Sequence, residues 1–311
     1  MTRIFLYIIL LLLLPVTLVA QENKEVNYPD YLLLRELAVN IYSADLDTDK
    51  QKKAVETIRE MGPSILPELI RLSKDPDKNV RAGAILALGI FPREAKRSVP
   101  VLIHVINEKD EELTVVAADT VREIGSEAAA AVPHLINVIK DTRFRKSGSS
   151  AIFYAVAALG EIGPAAKAAI PTLKGISNDR RVSSATQAEA SIAIALIERK
   201  NPDPKVRANA ARCLGGTGRA SVIPILKELL NDPDESVRKA ADEALIFMRV
   251  GALLDKVQGK DTIERLNALR ALGDMGQAAK WGELIISHCL TDSNEQIRRA
   301  AAETLRKIKG K

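Results

Sequence analysis

Apolar positions recur along the chain in steps of three and four, and the same stretch of pattern keeps returning. In "DESVRKAADEALIF" (234–247) and just beyond it, Val237, Ala240, Ala241, Ala244, Leu245 and Met248 fall on one face of a helix. "DPKVRANAARCLGG" (203–216) repeats the stripe with Val206, Ala210, Cys213 and Leu214, and "DKNVRAGAILALGI" (77–90) writes it once more. A second stripe alternates with the first: "ILPELIRLSKD" (65–75), "SVPVLIHVINE" (98–108), "AVPHLINVIKD" (131–141), "AIPTLKGISND" (169–179) and "VIPILKELLND" (222–232). Each reads apolar residue, proline, any residue, leucine. Each ends on an acid eight positions after the proline, at Asp75, Glu108, Asp141, Asp179 and Asp232.

Proline suits the first turn of a helix, where its missing N–H is not needed. Helices are therefore predicted to open at Pro67, Pro100, Pro133, Pro171 and Pro224. The acid that closes each stretch is expected to cap the next helix. Gly125, Gly163, Gly216 and Gly276 are expected to close helices in the left-handed conformation. The unit is then helix, Asp-rich turn, helix, Gly/Pro turn. No such unit buries its apolar face alone, so the units must stack.

The prolines are spaced 33, 33, 38 and 53 residues apart. The last interval contains "VSSATQAEASIAIALIERK" (182–200), itself helical by pattern, so residues 182–216 are expected to form an irregular repeat in which one helix lacks its usual partner. Beyond Asp232 the proline signature stops. There "VGALLDKVQGKD" (250–261) reads as a shortened first helix, "GQAAKWGELIISHCLTD" (276–292) as a full one, and 293–309 as a closing helix. Arg298, Arg299, Arg306, Lys307 and Lys309 give that last helix the polar face an end cap needs. At the other end, "DYLLLRELAVNIYS" (30–43) supplies the first helix.

The run Asp-Pro-Asp, two residues, Val-Arg, then Ala and Ala-Leu stands complete in "DPDKNVRAGAILAL" (75–88) and "DPDESVRKAADEAL" (232–245). "DPKVRANAARCL" (203–214) lacks one turn residue, and "SNEQIRRAAAETL" (293–305) replaces the Asp-Pro. This pattern resembles the HEAT repeat, in the short bacterial variety related to phycobilisome-lyase-like repeats, over roughly residues 48–309. The resemblance implies an all-α fold for residues 30–311, a right-handed α-solenoid of stacked antiparallel helix pairs. It also implies a structural ladder, in which Arg81, Arg207, Arg238 and Arg298 pair with the turn Asp of their own or a neighbouring repeat, Asp75 and Asp232 among them. The signature aromatics of tetratricopeptide repeats and the T-P-L-H of ankyrin are missing from the sequence.

The first 20 residues change the picture of where the chain works. "MTRIFLYIILLLLLPVTLVA" has one basic residue, an apolar run from Ile4 to Leu14, and a small residue at Ala20. This is the layout of a signal peptide, with cleavage expected before Gln21 and a polar linker over 21–29. The expected location is outside the cytoplasm, periplasmic or secreted. A membrane attachment follows only if the segment stays uncleaved, since Ile4–Ala20 lies at the lower limit for spanning a bilayer. Cys213 and Cys289, 76 positions apart inside apolar helical patterns, read as small buried side chains and not as a disulfide.

Charge and chemistry narrow the function. The net charge is +5, of which Arg3 carries one unit, too small an excess to indicate nucleic acid. His104, His134 and His288 lie in separate repeats and share no ligand or general-base spacing, so no catalytic residue, metal or cofactor is expected. The glycines of "LGGTG" (214–218) follow a helix and not a strand, which suits a helix end better than a phosphate cradle. One cluster stands out. "DTRFRKSGSS" (141–150) places Arg143, Arg145 and Lys146 around Phe144, and the turn one repeat later, "NDRRVSS" (178–184), adds Arg180 and Arg181. Equivalent turns share an edge of a solenoid, so these residues are expected to form one basic, partner-binding edge with an exposed Phe144. The expected function is a non-catalytic, exported scaffold whose partners are other proteins, with no small-molecule substrate. An acidic polymer bound along the basic edge is the alternative, and a tetrapyrrole lyase-like activity is a remoter one that the resemblance brings with it.

Overall fold

The computed structural model describes residues 28–42, 48–146 and 149–310. The predicted signal peptide lies outside the described residues. Of the predicted linker only Tyr28 and Pro29 are described, and they already belong to the first helix. Every regular element among the described residues is helical. None of these helices is long and apolar enough to cross a membrane. The chain divides into two compact units, up to Glu127 and from Ala128 onward.

The first unit holds α1 (Tyr28–Tyr42), α2 (Thr48–Met61), α3 (Leu66–Leu72), α4 (Lys78–Leu88), α5 (Ala95–Glu108) and α6 (Glu111–Ile124). Here α4 packs on α1, α3 and α6, and α5 packs on α6. Leu34, Ile58, Leu66, Leu69, Ile85, Leu88 and Leu102 fill the space between them, all of them fully buried. The approach of α4 to α1 is close because Gly83 has no side chain: a Cβ there would lie 1.7 Å from the carbonyl oxygen of Ala38.

The second unit holds α7 (Val132–Lys140), α8 (Thr142–Lys146), α9 (Ala151–Ile162), α10 (Ile170–Ser177), α11 (Ser184–Glu198) and α12 (Pro204–Gly216). It continues with α13 (Ile223–Leu229), α14 (Glu235–Val257), α15 (Thr262–Asp274), α16 (Glu283–His288) and α17 (Glu295–Ile308). The helices that open after the polar turns line up in order, α9 on α11, α12 on α14, and α15 on α17, with the proline-led helices packed alongside. The predicted irregular repeat is present. α11 packs on α9 and α10 before it and on α12 after it, and no proline-led helix separates α11 from α12.

The structure corrects several boundaries. Pro67, Pro133, Pro171 and Pro224 do sit in the first turn of their helices, but Pro100 lies inside α5, because the segment ahead of it continues as α-helix from Ala95. Residues 250–261 do not form a separate short helix. α14 runs unbroken for 23 residues and serves two repeats in turn, packing first on α12 and α13 and then on α15. Residues 276–292 are not one helix but the short α16 between two 3-10 segments. Gly125, Gly163 and Gly276 take positive φ as expected, whereas Gly216 ends its helix and Gly218 makes the turn instead, at φ 67°.

Capping is also shifted. The closing acid caps the next helix only at Asp141, which accepts from the Arg143 backbone at the head of α8; elsewhere the cap is a later polar residue of the turn: Asp77 accepts from the backbone of Asn79, Asp234 from Ser236, Asp110 from Leu113 and Ser183 from Thr186. The preceding Asp75, Asp179 and Asp232 instead accept from the backbone N–H two residues on, which folds the turn itself. Cys213 is half-buried and Cys289 buried, both as free thiols, and burial raises both above the ordinary thiol range.

Candidate functional site

The site rests on the turns, and the turns rest on a ladder of arginines. Arg81, Arg207, Arg238 and Arg298 each point one terminal nitrogen back at two carbonyls of their own turn. The oxygens are those of Asp75 and Pro76, Asn201 and Pro202, Asp232 and Pro233, and Asp292 and Ser293, at 2.7–3.0 Å. The expected pairing with the carboxylate of the same turn is therefore corrected. In the turns of Arg81, Arg238 and Arg298 that carboxylate is already engaged, with one oxygen on a backbone N–H and the other taken by an arginine of the preceding repeat, and in the turn of Arg207 the position is Asn201. The carboxylate is reached from the repeat before: Arg207 grips Asp232 with two bonds of 2.7 and 2.8 Å, Arg35 reaches Asp75 at 3.2 Å, and Arg265 reaches Asp292. Of the four arginines predicted for the ladder, only Arg207 makes both kinds of bond.

These contacts set the charge states. The hydrogen bond from Arg207 holds the Asp232 carboxyl below the usual carboxylate range, against the effect of burial. Burial alone would raise Asp75, but the bonds from Arg35 and from the Asp77 backbone outweigh it and keep this carboxyl low as well.

The predicted basic edge is the same ladder seen at α8 and at the turn before α11. Arg145 donates to the Ile139 carbonyl at 3.3 Å and to Asp179 at 3.2 Å. Arg181 folds back onto Asp179 with bonds of 2.8 and 2.9 Å, and its hydrogen bond, helped by the Arg181 backbone N–H, holds the Asp179 carboxyl down at about 2. Arg143 pairs with Asp141 at 2.6 Å. Arg180 is exposed and makes no ion pair among the described residues. The side chain of Lys146 is outside the description.

Phe144 is a correction. It was expected on the surface, but only 4 % of it is exposed. Residues 142–146 form a helical turn, not an open loop, and that turn carries the ring inward while α8 packs on α9. Phe144 becomes the floor of a cleft.

This cleft has a volume of about 370 Å³ and lies between α8, the start of α9 and the start of α11. Phe144, Ile152, Phe153 and Val182 give it apolar walls. Arg145 and Arg181 line it with four hydroxyls, those of Ser149, Ser150, Ser183 and the buried Thr186, and no carboxylate is among the lining side chains. The hydroxyls sit there for local reasons. Ser149 accepts from the Ala151 backbone at the head of α9, and Ser183 accepts from the Thr186 backbone at the head of α11. So the structure brings three of the six predicted edge residues together around one cleft, Phe144, Arg145 and Arg181, and leaves Arg143 and Arg180 outside the lining. The sequence reading missed the hydroxyls and Phe153, although "SGSS" and "VSS" follow the two basic turns and mark the heads of the next helices.

Two other clefts have different chemistry. In the first unit, about 380 Å³ is lined by Lys74, Arg81 and His104 but also by Glu108 and Asp110, with His104 already 3.2 Å from Glu108. Between α15 and α17, about 310 Å³ is lined by Arg270, Arg299 and Lys307 together with Glu303. Both carry charges of both signs. Among the described residues, no group of three His, Cys, Asp or Glu side chains is placed to hold a metal ion.

Stacked helix pairs, tied turn to turn by arginine–aspartate links, define an α-helical repeat protein. The chain carries HEAT repeats: the family model of that name matches residues 36–114 and 191–252. Several solved structures are similar to this chain at low identity. The complex of CpcE and CpcF of phycocyanin lyase from Nostoc sp. PCC7120 is similar at 20% identity, over 76% of this chain and 92% of that one, with a TM-score of 0.41. The archaeal HEAT-like repeats protein from Thermococcus onnurineus NA1 is similar at 14% identity, over 93% and 99%, with a TM-score of 0.37. The karyopherin Kap121p is similar at 13% identity, over 93% of this chain and 34% of its own, with a TM-score of 0.42. Comparison with curated proteins gives no significant match.

Proposed function

We propose that this chain is an exported, non-catalytic repeat scaffold that binds other proteins through the cleft edge of its second unit. The observation that carries this reading is the cleft itself: apolar walls from Phe144, Ile152, Phe153 and Val182 under a rim of guanidiniums and hydroxyls. An apolar centre with a polar rim is the layout of a protein-recognition site, and about 370 Å³ accommodates one anchoring side chain of a partner. The same geometry weighs against an acidic polymer. Such a ligand needs an uninterrupted cationic track, and here Asp141 and Asp179 neutralise part of the row. Export rests on the basic start, apolar run and small residue of positions 1–20.

Proximity labelling in the native host, with the labelling enzyme fused at the C-terminus, tests the scaffold reading. A short, reproducible set of labelled proteins outside the cytoplasm is expected. Diffuse labelling, or labelling confined to cytoplasmic proteins, would overturn the reading.

A further inference from the structure

We propose that the cleft between α8, α9 and α11 recognises a partner segment in which an apolar side chain, best an aromatic one, stands beside a carboxylate. This rests on the scaffold reading and names what the scaffold grips. Three observations carry it. The lining holds two guanidiniums and four hydroxyls but no acid, unlike the clefts of about 380 and 310 Å³, where acids are interleaved. A negative group entering here meets guanidiniums and hydroxyls and no acid among the lining side chains. The two guanidiniums also share a single carboxylate, Asp179, so one positive charge remains uncompensated among the described residues, and the exposed Arg180, next in sequence to Arg181, makes no ion pair among them either.

The second observation is unused donor capacity. Arg145 spends Nε on a carbonyl and Nη1 on Asp179, and Arg181 spends Nε and Nη2 on Asp179. Nη2 of Arg145 and Nη1 of Arg181 carry no bond among the described residues, so a ligand carboxylate can bind without breaking the ladder. Third, the floor is aromatic in a chain with only five phenylalanines: Phe144 and Phe153 both line it, and Phe153 is braced edge-on by Tyr154 at 5.5 Å between ring centroids. Ring-to-ring packing rewards an aromatic anchor over an aliphatic one. A long polyanion would use the rim and leave this floor empty.

The test uses the full-length protein and three fluorescein-labelled peptides with identical Gly-Ser flanks, centred on Asp-Phe-Asp, Lys-Phe-Lys and Asp-Gly-Asp. Binding is read by fluorescence anisotropy up to millimolar protein. The Asp-Phe-Asp peptide should bind, and each of the other two should be weaker by roughly tenfold, one for the lost charge pairing and one for the lost ring. Arg181→Ala, at a side chain that is 79% exposed, should weaken Asp-Phe-Asp by about threefold or more, and Ser150→Trp should block the mouth. Lys167→Ala, at an exposed cation of the same unit outside the lining, should change nothing. Circular dichroism confirms that each variant is folded; if Ser150→Trp is not, Arg181→Ala decides. No binding of Asp-Phe-Asp, equal binding of Lys-Phe-Lys, or indifference to Arg181→Ala overturns the proposal. Proximity labelling that finds partners in the Arg181→Ala strain as well would leave the scaffold standing while removing the cleft as its grip.

Discussion

Gly215→Ala tests how the helices of the second unit are held together. Gly215 is the penultimate residue of α12 and faces Ala244 of α14. A Cβ built there would lie 2.4 Å from the Ala244 Cβ and 2.8 Å from its Cα, where ordinary carbon contacts need about 3.5–4.0 Å. Neither contact can be relieved by rotating a side chain, since both atoms are fixed to the backbone of α14. The helices must part by roughly 1 Å, which loosens the contacts of the buried Leu214, Ala240 and Ala241 and costs about 1–3 kcal/mol. The better helix propensity of alanine returns less than the ~1 kcal/mol of a helix interior, because Gly215 is almost at the helix end. The net expectation is a loss of about 1–2 kcal/mol. Gly175 in α10 provides the control: nothing lies within 4 Å of its missing Cβ and its φ is not positive, so Gly175→Ala should stabilise by about 0.5–1 kcal/mol. Urea unfolding is followed by far-UV circular dichroism and by the fluorescence of Trp281, the one tryptophan, as a check on two-state behaviour. If Gly215→Ala is neutral or stabilising, the close crossing of α12 and α14 is wrong.

The remaining predictions concern the ladder and the thiols. Arg207→Lys keeps the charge but cannot hold Asp232 and the carbonyls of Asn201 and Pro202 together, so it should lower stability by about 1 kcal/mol in the same urea assay. Asp75, Asp179, Asp232 and Asp292 are all held below the usual carboxylate range in the folded protein. Their contribution is therefore fully present above the unfolded value near 4 and is lost as pH falls through the folded values, so the thermal midpoint should drop steeply between about pH 4 and 2 and stay flat from 5 to 7. A midpoint that holds down to pH 2 would contradict the ladder. Cys213 and Cys289, raised by burial, should react with a maleimide probe far more slowly in the folded protein than in urea, with mass spectrometry locating the adducts.

The helical repeat was legible because it is written in periodicity, and periodicity is local. Val237, Ala240, Ala241, Ala244 and Met248 are buried in the order their spacing predicts. What was not legible depends on where a boundary falls. Nothing in "MRVGALLDKV" announces that α14 runs through the place where a turn was expected, since Gly251 lies in the helix and the turn signals of the other repeats are missing. The ladder was half legible. The spacing of Arg from Asp fixes the carbonyl contacts, which stay within one turn, whereas the carboxylate contacts run 25 to 40 residues and depend on how repeats stack. The candidate site shows the same split. The repeat register put the turns at 141–150 and 178–184 beside each other, but whether Phe144 faced water or core was set by a helical turn of five residues, too short to read from pattern.

That split gives Asp179 two opposed jobs, and they can be separated. Its carboxylate ties Arg145 of one turn to Arg181 of the next, which fixes the rim of the cleft, and it also cancels one of the two charges the cleft would offer a ligand. Asp179→Asn keeps the oxygen that accepts from the Arg181 backbone at 3.0 Å, so the turn before α11 should still form. The amide gives only a neutral acceptor in place of the carboxylate, so Arg145 and Arg181 turn their guanidiniums to the mouth of the cleft with a full additional unit of positive charge. The variant should therefore melt at lower temperature than the parent and yet bind the Asp-Phe-Asp peptide more tightly, with a stronger dependence on salt. A purely structural Asp179 would lower the melting temperature and weaken or leave unchanged any binding at the same edge. Opposite signs in the two measurements would show that the link between repeats and the site for a partner are made of the same pair of arginines.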